Sequence, residues 1–243
     1  MIDIHCHILP NMDDGAQSMA EALEMARLAA QSGVTDIIAT PHFPADMLQE
    51  KLPQKVLQTL DRFQKALEKA QIPLNVHPGS EILCLPDAVT LARRGLLPTL
   101  GQGQYLLTEF FFDESSQYID QMLQEISQLG YTPIVAHPER YHAIQQNIRI
   151  VEDWFARGYL MQVNKGSVLG AFGSNVQTAA EHLLYHGLAH VLASDAHHAD
   201  YRTPHMQQLY HWALDHLGMQ YTHVLLQENP SRILQGLPPV PVQ

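Results

Sequence analysis

The sequence predicts an α/β barrel of parallel strands, and three observations carry that prediction. Apolar runs of strand length alternate with amphipathic runs of helix length through the 243 residues. Polar residues of similar chemistry recur at the C-terminal ends of those apolar runs, which is where barrel enzymes keep their reactive groups. No low-complexity linker or sequence repeat interrupts the alternation, so a single domain over residues 1–243 is the simplest organisation. An open doubly wound sheet would instead gather such groups around one switch point.

The first element lies in residues 1–15, MIDIHCHILPNMDDG. Ile2, Ile4, Cys6 and Ile8 alternate with Asp3, His5 and His7, so a strand puts both histidines on one face and the apolar residues on the other. Residues i and i+2 of a strand lie roughly 6.5–7 Å apart, and ligand bonds of about 2.1 Å let two such rings converge on one cation. Asp13-Asp14-Gly15 follows in a turn beside the same pocket. Residues 17–31 form an amphipathic helix closed by Ser32-Gly33. Residues 34–40 are an apolar strand that runs into Pro41-His42-Phe43. A more polar helix ends near Gln71, with Pro53 in its first turn, and residues 74–82 form a strand with Glu81 at its end.

The second half repeats the theme. A helix over 86–97 with a basic end leads through a loop to a strand over 105–110 that ends in Glu109. A helix over 115–129 precedes a strand over 130–138 that ends in His137. Then come a helix over 144–157, a strand over 159–164, a helix over 174–186 and a strand over 190–195 that ends in Asp195. A helix from Pro204 through Leu217, the segment 221–226 and a short helix after Asn229-Pro230 complete the elements. The tail from about residue 237 is extended, because its prolines forbid regular helix.

Composition narrows the function classes. Fourteen basic against twenty-five acidic residues give a formal net charge of −11, which argues against broad binding to nucleic acid or anionic membranes. No run approaches the ~18 apolar residues of a membrane span, and no basic region followed by an apolar run marks a secretory signal. Cytoplasmic residence is the expectation, and the two cysteines suit a reducing compartment. Cys6 faces away from His5 and His7 and reads as an apolar filler. The helix histidines His182, His186, His211 and His216 read as surface or packing residues.

The polar residues at strand ends are His5, His7, Asp14, His42, Glu81, Glu109, His137, Asp195 and His197. Singly, each has an ordinary explanation as a turn residue, a helix cap or a solvated loop group. Nine together at nearly every strand end do not. Carboxylates crowded in one barrel mouth repel unless cations compensate them, so a metal centre is the physical resolution. Nitrogen and oxygen donors without thiolate suit Mn, Zn, Fe or Mg. Nine ligands are too many for one ion, whereas two or three ions with a bridging carboxylate use them all. Asp3 is expected to support a histidine ring, and Asn164 is either a pocket hydrogen-bonder or a strand-end turn residue.

The ordered set His5-Cys-His7, Asp13-Asp14-Gly15, Thr40-Pro-His42, Gly79-Ser-Glu81-Ile, Glu109-Phe, Ala136-His137-Pro-Glu-Arg140-Tyr, Gln162-Val-Asn164 and Ser194-Asp-Ala-His197 with Arg202 resembles the PHP (polymerase and histidinol phosphatase) superfamily. It is most similar to the bacterial capsule and exopolysaccharide branch, the manganese-dependent protein-tyrosine phosphatases of the CpsB/YwqE type. The similarity covers almost the whole chain in order. It implies a distorted (β/α)7 TIM-like barrel with three divalent ions, Mn2+ first among them. His5, His7, Asp195 and Glu81 would surround one ion; Glu81 would bridge to a second held by Glu109 and His137; Asp14, His42 and His197 would take the third. Arg140 and Arg202 fall on the family's phosphate-binding arginines. Pro41 stands where a small polar residue is common, and His198 follows the Asp-x-His motif.

The resemblance also implies a substrate and a setting. The substrate would be phosphotyrosine on a bacterial tyrosine kinase of polysaccharide export, met at the inner membrane surface by a soluble phosphatase. Water activated by metal would attack the phosphomonoester, Arg140 and Arg202 would hold its oxygens, and His42 or His197 would be the candidate general acid only where not fully committed to metal. Neither Cys6 nor Cys84 is followed six residues later by arginine, so the Cys-x5-Arg loop of thiol-based phosphatases is absent. A small-molecule phosphatase acting on a compound such as histidinol phosphate, and a catalytically weak regulator that binds the kinase tail, are the competing expectations.

Overall fold

The computed structural model describes residues 1–42, 54–101 and 103–241. The expected place of Pro53 in a helix first turn, Phe43, and the last two residues of the tail lie outside the described residues. The strands are β1 (Ile2–Cys6), β2 (Asp36–Ala39), β3 (Asn75–Pro78), β4 (Glu81–Leu83), β5 (Tyr105–Glu109), β6 (Thr132–Ala136), β7 (Leu160–Asn164) and β8 (Val191–Ala193). Every pairing is parallel, in the orders β1-β2-β3 and β4-β5-β6-β7-β8. Two bridges, His42 with Glu81 and Cys6 with Ala196, join the two sheets into a ring.

That ring has seven staves among the described residues, because β3 and β4 are one expected strand broken at Gly79-Ser80. Gly79 passes so close to the next stave that a Cβ there would sit 2.6 Å from Ile38 and 2.8 Å from Leu100. The break lets Glu81 begin a fresh strand, and the distorted (β/α)7 barrel follows. The staves are buried on both faces, as apolar parallel strands require. Ile2, Ile4, Ile38, Leu107, Ile134 and Val191 meet in a smaller cluster inside the ring. Ile37, Leu106, Val135 and Leu192 point outward and pack under the helices in the larger one.

Helices cover the outside. α1 (Met19–Gln31) starts where the Ser18 hydroxyl accepts the Glu21 N–H, and α4 (Ser116–Gln128) where Ser115 accepts that of Tyr118, a favourable cap in each case. Between them lie α2 (Gln54–Lys69) and α3 (Pro86–Arg93). The expected helix over 144–157 is two, α5 (His142–Gln146) and α6 (Arg149–Ala156), parted at Asn147 and Ile148. Beyond α7 (Lys165–Val168) and α8 (Ser174–Tyr185), α9 (Gln207–His223) kinks at Gly218, whose φ of 77° only glycine adopts freely. A wider turn over Val224–Glu228 leads to α10 (Asn229–Leu234).

α10 closes the N-terminal end of the ring, with Ile233 buried among Ile2, Leu100 and Tyr105. The tail is extended and anchored: the Tyr105 hydroxyl donates to Leu237 O at 2.8 Å, and Val240 N–H donates to Asn229 Oδ1 at 2.8 Å. Ligand access is therefore from the opposite, C-terminal end.

One buried histidine away from that end reports on stability. His190 accepts the Met161 N–H on Nδ1 at 3.1 Å and stacks on Phe155, and burial pushes its imidazole down to about 4 from 6.5. The folded state therefore refuses a proton that the unfolded chain takes, and stability falls as pH drops from 6.5 towards 4. Between pH 7.5 and 5 the loss is about 2 kcal/mol. Urea unfolding at the two pH values checks this, with His190→Gln expected to flatten the dependence by that amount. An unchanged slope would refute it.

Candidate metal centre

At the C-terminal mouth the structure brings all nine strand-end residues together. Glu81, buried, is the hub. Its Oε2 lies 3.2 Å from His5 Nε2, 3.2 Å from His7 Nε2 and 3.4 Å from His42 Nδ1. Its Oε1 lies 3.3 Å from His137 Nε2. Asp195 Oδ1 adds contacts to His5 at 3.4 Å and His197 at 3.6 Å, and Glu109 Oε1 lies 3.5 Å from His137. Asp14 Oδ1 is 3.5 Å from both His42 Nε2 and His197 Nε2. Three sets of donor atoms converge closely enough for a cation: His5, His7 and Glu81; His42, Glu81 and Glu109; and His7, Asp14, His42 and His197.

Backbone devices aim these groups. Along β2, β5, β7 and β8, side chains that follow the inward apolar positions by alternation reach the mouth, which places His42, Glu109, Asn164 and Asp195; Glu81 reaches it as the first residue of β4, opposite in alternation to outward Ile82. β1 departs from the expected alternation. Its register with β2 shifts between Asp3 and Cys6, so Ile2 and Ile4 face inward while Cys6 and Ile8 join the outer cluster. This bulge turns His5 and His7 into the mouth below which the isoleucines pack. His137 follows inward Ala136 and would face out by alternation, yet it reaches the mouth from a left-handed backbone, φ 36°. Asp195 and Arg202 share this left-handed strain at φ 47°, which costs on the order of 1–3 kcal/mol each and persists where the surroundings over-determine it.

A second layer orients the rings. Asn164 donates to Asp195 Oδ2 at 2.6 Å, which fixes its amide; its Oδ1 then accepts from Gln162 Nε2 at 2.7 Å, and Gln162 Oε1 accepts from His5 Nδ1 at 2.8 Å. Asp13 Oδ2 accepts from His7 Nδ1 at 2.7 Å. Both rings thus keep a proton on Nδ1 and turn Nε2 towards each other, 3.3 Å apart, and towards carboxylates. Asn164 is a pocket hydrogen-bonder. Asp3 does not support a ring: it accepts the backbone N–H groups of His5 and Ser194. The ring-supporting role of Asp13 and Gln162 was not read from the sequence, although both lie in the quoted motifs.

Electrostatics shows what the cluster lacks. Burial opposes charge on His5, yet the Glu81 and Asp195 carboxylates outweigh it and push the imidazole up to about 9. Burial and the Glu81 carboxylate push Glu109 up to about 8. Burial, with His7 beside it, pushes His197 down to about 3. Apart from the arginines beside Asp195, protons on the imidazoles and carboxyls are what balance this charge, and divalent cations would displace them. The buried Glu81 Oε1 and His137 Nδ1 have no hydrogen-bond partner, and the nitrogen and oxygen donor set suits a hard or borderline ion. The residues fit a multinuclear metal centre.

The two arginines flank the cluster. Arg202 Nη2 donates to Asp195 Oδ2 at 2.6 Å, and its buried Nε–H has no partner. Arg140 lies 3.5 Å from the same oxygen, with its guanidinium between Phe112 at 4.2 Å and Phe172 at 4.4 Å. Cys6 is packed in the outer cluster, and burial pushes its thiol well up.

The family described as capsular polysaccharide synthesis, CpsB/CapC, matches residues 1–235. The chain belongs to the CpsB/CapC family. It is similar to the tyrosine-protein phosphatase YwqE of Bacillus subtilis (strain 168), 37% identical over all of this chain and 97% of the relative. It is also similar to the tyrosine-protein phosphatase CpsB of Streptococcus pneumoniae, 31% identical over 96% of this chain and 98% of that one. Crystal structures of YwqE and CpsB, described as metal-dependent tyrosine phosphatases, give a match with TM-score 0.89 and 36% identity that covers both chains fully. The (β/α)7 architecture expected from the resemblance is thus shared with a CpsB/CapC family member along its whole length.

The ring supports offer a direct check on this CpsB/CapC centre. Gln162→Leu breaks the chain from His5 to Asp195, and Asp13→Asn removes the acceptor that sets the His7 tautomer. Each is expected to weaken divalent-metal retention by about 10–100-fold with an unchanged circular dichroism spectrum. Metal titration against a competing chelator measures it; wild-type affinity in both variants would remove the second layer from the account.

Proposed function

We propose that the chain is a metal-dependent protein-tyrosine phosphatase, with His5, His7, Asp14, His42, Glu81, Glu109, His137, Asp195 and His197 as ligands of three divalent ions. The observation that carries the reading is the four-sided contact of buried Glu81 with His5, His7, His42 and His137 beside two arginines. Manganese is the ion proposed for native protein. Bound ions would supply positive charge to the phosphoryl oxygens and lower the pKa of water. Arg140 and Arg202 hold the remaining phosphoryl oxygens and stabilise their charge as the bond to phosphorus breaks. His42, half-exposed at the rim, and His197 are the candidates to protonate the leaving oxygen, each through a ring nitrogen that the metals leave free.

A phenolate leaves readily, since phenol has a pKa of about 10, so the chain's main work is positioning. The proposed substrate is an autophosphorylating tyrosine kinase that controls capsule or exopolysaccharide synthesis, met by a cytoplasmic phosphatase at the inner membrane face. No described helix is long and apolar enough to cross a membrane.

Elemental analysis of native protein, with phosphate release from phosphotyrosine peptides against histidinol phosphate, tests the reading. Chelation is expected to abolish release from the peptides, and alkylation of Cys6 and Cys84 to leave most of it. The opposite pair of results, or preference for histidinol phosphate, would overturn it.

A further inference from the structure

Two clefts flank the cluster, and Phe112 is the wall between them. One, about 570 Å³, lies on the Arg140 side and is mixed, with His142, Gln145, Ser174 and Asn175 beside Phe172 and Val176 in its lining and none of the nine cluster residues. The other, about 440 Å³, is apolar: Ile82, Leu91, Leu97 and Phe110 line it, and His42 and Glu109 stand at its inner end. The second cleft is therefore the one that adjoins cluster residues. That cleft offers little for a polar leaving group to bond to, whereas a flat carbon ring would bury there.

Resting on the phosphatase reading above, we infer that this apolar cleft takes the aromatic ring of the phosphorylated residue and that Phe112 sets the preference for aryl over alkyl phosphoesters. Phe112 is suited to this by its surroundings. Arg140 covers it at 4.2 Å, the His137 and Tyr141 rings stand 5.9 and 6.3 Å away, and the side chain, 37% exposed, borders the apolar cleft where a further ring can meet it. An offset or edge-to-face ring pair there adds to simple burial. Depth adds a second filter. His5, His7, His137 and Asp195 are at most 2% exposed, so a long side chain carries its phosphorus to the cluster more readily than a short one such as phosphoserine.

The test compares holoenzyme with Phe112→Ala and Phe112→Tyr on one peptide sequence carrying phosphotyrosine or phosphoserine, with inorganic phosphate as a competitive inhibitor. Phe112→Ala is expected to lower kcat/KM on phosphotyrosine by roughly 10-fold through KM, from the lost ring pair. Turnover of phosphoserine and the inhibition constant of phosphate should stay within about twofold, and Phe112→Tyr should restore the aryl preference. An equal fall on both esters, or a parallel rise in the phosphate inhibition constant, would mean that Phe112 acts only by holding Arg140, and would overturn the inference alone. Wild-type enzyme that releases no phosphate from any aryl ester would overturn the phosphatase reading and the inference with it.

Discussion

Exchange of Glu81 for glutamine is expected to leave a folded protein that retains little divalent metal and whose phosphotyrosine turnover falls by well over 100-fold. Even groups that only orient a ligand cost about 10–100-fold in affinity or activity, and Glu81 is the hub to which His5, His7, His42 and His137 converge. Burial opposes its charge, yet contacts with His5 and His137 hold the carboxyl well below its usual range. Glutamine fills the same volume but brings a donor and no charge, so the imidazoles lose their shared anion. Metal content by plasma mass spectrometry, circular dichroism and kcat/KM measure the three expectations separately. Full metal retention by a folded Glu81→Gln protein would remove Glu81 from the centre.

Arg202→Lys is expected to lower kcat/KM by about 10²–10³ while metal content stays at the wild-type level. Lysine keeps the charge but loses the planar fork that grips two phosphoryl oxygens at once. Arg202 is held for that grip: it sits at a strained φ of 47°, spends one amino group on Asp195, and keeps a buried Nε–H without a partner. The inhibition constant of inorganic phosphate should rise alongside KM. Because Arg140 reaches the same Asp195 oxygen, the double variant should fall short of the sum of the single effects. An unchanged phosphate inhibition constant would assign Arg202 to structure rather than to the phosphoester.

Alternation explains which parts of this site are legible in the sequence. His42, Glu109 and Asp195 continue the inward face of their own strands, so an apolar run that ends in a polar residue is enough to place them, whereas Glu81 opens a new strand after the break at Gly79-Ser80. His137 obeys no such rule: it follows inward Ala136 and yet reaches the mouth. His5 and His7 point inward for a reason other than plain period two: a bulge moves them, and Ile2 and Ile4 part company with Cys6 and Ile8. Bulges leave little trace in composition. The broken stave at Gly79-Ser80 carries a signal in its glycine, but the reason for the break is the approach of Ile38 and Leu100, which are distant in sequence. Asp13 and Gln162 fall in the same class, since only the folded ring sets them behind His7 and His5.

The seam between β1 and the segment after β8 couples the site to the order of synthesis. His7 N–H donates to Ala196 O, Asp195 N–H to His5 O, and Ser194 N–H to Asp3, so the earliest and nearly the latest parts of the chain build one wall. At roughly 5–20 residues per second, His5 and His7 leave the ribosome on the order of ten to forty seconds before Asp195 and His197 exist to face them. During that interval β1 has no neighbour on one edge, and the nascent chain offers two imidazoles without their carboxylate partner from the far end. The donor set of His7, Asp14, His42 and His197 is thus complete only once residue 197 has been made.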